Sequence, residues 1–120
     1  LETLQQQSKF PALVYDGRLN ERHYGSLQGY KKKDVEDGKH GHPPHLVEQW
    51  RRSWYARPPQ MEKDDPRYLQ EVYDHGHCPN GESLHMVAHD RIRPFLHNTM
   101  MPLLEEFDRP TTGLVVAHAN

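Results

Sequence analysis

What most limits this chain is how little it has to bury. Leu, Ile, Val and Phe make up 23 of its 120 residues, about 19%. That is near the composition at which burial no longer offsets the conformational entropy of folding. Disordered chains this poor in apolar residues usually carry a high net charge as well, whereas 15 Lys and Arg here face 17 Asp and Glu, for a net of −2. The near-balance also argues against nucleic acid or a membrane surface as partner, since both demand a basic excess. The chain therefore reads as part of a folded unit. Starting at Leu1 and stopping just after an apolar run, it is expected to be the central portion, 1–120, of a single larger domain.

Targeting and redox signals point the same way. No apolar stretch approaches the roughly 20 residues needed to span a bilayer, and the amino end has no signal-peptide core. A single cysteine, Cys78, excludes an internal disulfide framework. It fits a reducing, cytoplasmic compartment.

Apolar spacing divides the chain. Pro11 to Tyr15 is a short apolar run closed by Asp16-Gly17, the pattern of a strand and turn over 12–15. No period holds over 18–29, which reads as a loop crowded with functional side chains. The segment 31–37 is charged and ends at Gly38, and 40–45, with one Gly and two Pro, reads as a surface loop. Leu46, Val47, Trp50 and Trp54 form one helical stripe that Pro58-Pro59 stops. A long excursion follows over 60–80. Leu84, Val87, Ala88, Phe95 and Leu96 predict an amphipathic helix over 82–107, bent or interrupted at Pro94 and Pro102. Leu114 to Ala117 is continuously apolar, as in a strand covered on both faces of a parallel sheet. Helices between two such strands predict an α/β unit of two or three mostly parallel strands.

The densest chemistry lies at 19–29. Glu21, Arg22, His23 and Tyr24 stand in a row before Gly25 and Gly29. A carboxylate, guanidinium, imidazole and phenol so placed suit an anion held beside a proton-transfer group; on composition alone, a solvated turn fits equally well.

Leu19 to Gly29 resembles the signature loop of the cofactor-dependent phosphoglycerate mutases, in the histidine phosphatase superfamily. Further matches follow in the same order: Gly29 to Lys32 resembles the family's Gly-x-x-Lys, and Trp50-Arg51-Arg52-Ser53, with prolines at 58 and 59, its Arg-Arg motif. Asp65 to Tyr68 resembles its D-x-R-Y loop, and Glu82-Ser83-Leu84 with Arg91 and Pro94 its E-S-L helix. Val115 to Asn120 resembles the end of its A-H-G-N strand. The resemblance spans about 105 residues, from near Tyr15 to the last. It implies part of a three-layer α/β fold, a mostly parallel sheet flanked by helices. It also implies glycolytic exchange of phosphoryl groups between 3-phosphoglycerate and 2-phosphoglycerate. In that exchange 2,3-bisphosphoglycerate is the primer, and no metal takes part. By resemblance Glu21 is the proton donor and acceptor and His118 holds phosphoryl oxygens. Arg22, Tyr24, Lys32, Arg51 and Arg52 bind the anionic substrate, and His23, Ala119 and Asn120 complete the contacts. All should converge on one concave pocket, and a homo-oligomer is compatible with the resemblance.

The departures are specific. The family's phosphorylated histidine lies in an Arg-His-Gly motif, and none occurs in this sequence. The isolated chain is therefore expected to lack turnover. Ala119 stands where the family has Gly, so a diverged or non-catalytic copy acting as an interaction partner is the rival expectation. His40, His42 and His45, and His75, His77 and Cys78, have short spacings that could suit zinc. They fit no standard finger and fall in segments expected to be exposed loops.

Overall fold

A computed structural model of the chain describes residues 13–68, 79–107 and 109–118. Three helices organise them. Helix α1 is the short Lys32–Glu36, and α2 is Pro44–Arg52. Helix α3 is a continuous helical run from Leu84–Met86 to Met101–Glu105. Single 3-10 turns at Gly17–Leu19 and Gly25–Leu27 punctuate the loop before α1.

Local chemistry sets each boundary. Pro44 opens α2, where a missing N–H removes nothing the helix needs. The Ser83 hydroxyl caps α3 by accepting from the Met86 amide at 3.1 Å. Pro94 and Pro102 do not break α3. Instead the helix widens into π turns over Val87–Ile92 and Leu96–Met100. A proline ring crowds the carbonyl four residues earlier. Those carbonyls belong to Asp90 and Asn98, each inside a π turn that absorbs the conflict.

The apolar core is small, as the composition requires. Leu27, Val35 and Val47 form it, with Tyr24 and Trp50 packed against them. Val35 anchors α1, a helix that the charged run 31–37 did not announce.

The expected mostly parallel sheet flanked by helices is not what the structure holds: among the described residues no strand forms. Leu13, Val14 and Tyr15 are exposed, and Leu114 is 87% and Val116 78% exposed. Apolar, β-branched runs become strands only when a neighbour pairs their backbone groups. Among the described residues neither run has such a neighbour, so the three-layer α/β expectation is corrected to a helical arrangement with long irregular connections. The helix expected over 82–107 is present over 84–105. The one expected after His45 begins at Pro44 and ends before Trp54.

Candidate functional site

The loop at 19–29 is held from inside by polar groups. Glu82 and Arg91 are 3% and 5% exposed, and they face each other with Arg91 Nε 2.9 Å from Glu82 Oε2. Arg91 Nη2 donates to Glu82 Oε1 at 3.1 Å. The same Oε1 accepts the His23 amide at 3.0 Å. Arg91 Nη1 donates to the carbonyls of Asn20 at 2.8 Å and Arg18 at 3.3 Å. One buried ion pair thus grips the chain on both sides of Glu21. Backbone groups meet Arg91 Nη1 and Glu82 Oε1, which offsets part of the cost of burying the pair, while Arg91 Nε faces Glu82 without a hydrogen bond of its own.

His23 is buried beneath the loop. Its Nδ1 accepts from the Gly25 amide at 2.9 Å and the Gly81 amide at 3.1 Å, and burial pushes its pKa down. Gly25 and Gly81 cross closely here, both at positive φ. A β-carbon on Gly25 would stand 2.1 Å from the Pro59 carbonyl oxygen. Only glycine fits such a crossing. Arg67 closes the far side by donating from Nη1 to the Ser26 and Gln28 carbonyls, both at 3.0 Å. Its guanidinium also bonds Asp65 and holds that carboxyl below its usual range.

On this frame the expected site residues fall into groups. Glu21 and His118 meet, with Oε2 3.6 Å from Nδ1 and side chains 44% and 70% exposed. A carboxylate and an imidazole at this separation, open to solvent, can act on one ligand together.

Arg22, Arg51 and Arg52 gather at the end of α2. Arg22 donates from Nη1 to the Trp50 carbonyl at 3.0 Å and from Nη2 to the Arg51 carbonyl at 3.1 Å. It thereby satisfies carbonyls that a helix C-terminus leaves open. Its guanidinium carbon lies 4.7 Å from the Tyr24 ring centre. Arg51 pairs with Glu36 of α1. Lys32 stands one helical turn before Glu36, on the same face. Lys32 and Arg52 are exposed and make no ion pair among the described residues. Ala119 and Asn120 lie outside the described residues.

Of the residues expected in a single concave pocket, the structure brings Glu21 to His118 and Arg22 to the end of α2. A cavity of about 440 Å³ lies elsewhere, lined by Gln60, Met61, Glu62, Lys63, Asp64 and Asn80. Sequence reasoning singled out Glu82 and Arg91 only as motif letters. Their signal was a Glu and an Arg nine residues apart in a helix, which says nothing of burial until the loop is seen wrapped over them.

The donor set suits a small polyanion such as 2,3-bisphosphoglycerate. Among the described residues Lys32 and Arg52 make no ion pair and Arg51 is countered by one carboxylate, while Arg22 is buried and already bonded to the end of α2. Of the loop histidines, the His40 ring stacks on Tyr30 at 3.8 Å and His42 meets Trp50 edge-on at 5.5 Å. His75, His77 and Cys78 lie outside the described residues. Among the described residues no group of three or more His, Cys, Asp or Glu is placed to hold a metal, and no helix is long and apolar enough to cross a membrane. No protein-family model matches the sequence.

Proposed function

We propose that this chain carries the acid–base and anion-binding part of a phosphoglycerate mutase-type site in the cytoplasm. It would serve the interconversion of 3-phosphoglycerate and 2-phosphoglycerate through a phosphohistidine contributed from outside these 120 residues. The observation that carries the reading is the meeting of Glu21 and His118, 97 positions apart, at 3.6 Å. In this reading Glu21 takes the proton from the attacking substrate hydroxyl and returns it to the leaving one. His118 donates to phosphoryl oxygens, on which charge spreads in the transition state. Lys32, Arg51 and Arg52 hold the substrate's carboxylate and phosphate, the arginines through forked donors. Arg22 acts from below, tying the loop to the end of α2. When bound, 2,3-bisphosphoglycerate supplies the phosphoryl group that primes the histidine.

A second reading, a non-catalytic mutase-like partner, is favoured by the apolar side chains exposed at 13–15 and 114–116. Turnover separates the two. The bare chain should convert neither phosphoglycerate, whereas a chain carrying an Arg-His-Gly segment ahead of it should do so. In that longer chain Glu21→Gln should lower kcat by about 10²–10⁴-fold with KM little changed. No turnover and no phosphohistidine in the longer chain would leave the partner reading. Undiminished turnover with Glu21→Gln would remove Glu21 from the reaction.

A further inference from the structure

Helix α3 carries His85 and His89 four residues apart, a spacing that sets both side chains on one face. Their ring centres lie 5.3 Å apart, with planes 19° from parallel. Metal–imidazole bonds are about 2.0–2.1 Å long and lie in the ring plane, so both stacked rings would turn about their side-chain torsions to aim one nitrogen each at a shared ion.

The surroundings prepare both rings. His89 Nδ1 lies 3.3 Å from Asp90 Oδ1. In the tautomer with N–H at Nδ1 facing that carboxylate, the Nε2 lone pair is left for a metal, the arrangement that orients imidazole ligands elsewhere. The His85 ring is walled by Trp54, edge-on at 5.8 Å, and by Tyr55 at 5.0 Å. Its amide is fixed by donating to the Trp54 carbonyl at 2.9 Å. The His89 side chain is 57% exposed, so an ion reaches the pair from solvent.

We propose that His85 and His89 form a two-imidazole site for a divalent transition-metal ion, with water completing the coordination. Nitrogen ligands of this kind bind Cu²⁺ ahead of Ni²⁺ and Zn²⁺. The site is independent of the phosphoryl-transfer reading, because none of its residues belongs to that machinery.

Trp54 is a built-in reporter, since Cu²⁺ held at His85 lies close enough to quench its fluorescence. Titrating the chain with Cu²⁺ alone should quench Trp54 over the first equivalent, and a Trp54→Phe chain should lose that phase. His89→Ala, at an exposed position, should weaken the first equivalent about tenfold or more, and Asp90→Asn should weaken it less. His85→Gln supplies the second ligand deletion, with circular dichroism confirming the helix. Unchanged first-equivalent affinity in both histidine variants would overturn the proposal. So would first-equivalent line broadening at His40, His42 or His118 instead of His85 and His89.

Discussion

Burial makes His23 an acceptor for backbone amides. With Gly25 and Gly81 both donating to Nδ1, the folded chain holds the neutral ring, and its pKa lies below the ordinary 6.5. Below that value the unfolded chain binds the extra proton, so His23 stabilises the fold fully above about pH 6.5 and loses that contribution as pH falls through its folded pKa. His23→Asn keeps an oxygen acceptor near the Nδ1 position and cannot titrate. Urea unfolding from about pH 5 to 7 should give a flatter pH dependence for this variant than for the parent. An identical slope would show that another group carries the acid sensitivity. Gly25 gives a sharper test. Gly25→Ala meets the Pro59 carbonyl, whereas Gly41→Ala, at the same sign of φ, meets nothing within 4 Å. Both variants carry the left-handed strain of about 1–2 kcal/mol, and only Gly25→Ala should exceed it in denaturant unfolding. The residues of this crossing were legible only in part. The glycine-punctuated loop was visible in the sequence, but the partner strand of chain at 80–82 was not.

At the scale of elements, α3 does more than cover a face, because it supplies Arg91, which pairs with Glu82 just ahead of the helix and grips the loop at 19–29. Arg91→Met leaves Glu82 buried without its partner and should destabilise the chain by about 3–5 kcal/mol. Adding Glu82→Gln should recover part of that loss, because the uncompensated charge goes with it. Thermal melts of the single and double variants check this, and strict additivity would mean that the two side chains are not coupled. Helix α2 was legible because Leu46, Val47 and Trp50 repeat at helical spacing, although its start at Pro44 falls in a stretch whose prolines read as a surface loop. Helix α1 was not, since Val35 alone among charged neighbours makes no stripe. The strands were misread for a physical reason. A run such as Leu114 to Val116 records only that its residues would suit a sheet, while pairing belongs to whatever lies beside it.

For the molecule as a whole, polar contacts substitute for apolar mass. The Cα radius of gyration is 17.7 Å, against about 14 Å for a compact chain of this length. A three-residue apolar cluster and a buried Glu–Arg pair hold the middle. Against that loose background, the contact between Glu21 and His118 was the most legible part of the site. Two widely separated motifs each named one residue of the candidate site, and their side chains lie 3.6 Å apart. Arg22 was less so, because a sequence shows a guanidinium and not the helix end that occupies it. The most direct test of the phosphoglycerate reading is titration of the isotopically labelled 120-residue chain with 3-phosphoglycerate, followed residue by residue by nuclear magnetic resonance. The account predicts saturable shifts at Glu21, His118, Lys32, Arg51 and Arg52, reversed by competition with 2,3-bisphosphoglycerate. Saturable shifts confined to other residues, or none at these five, would contradict it.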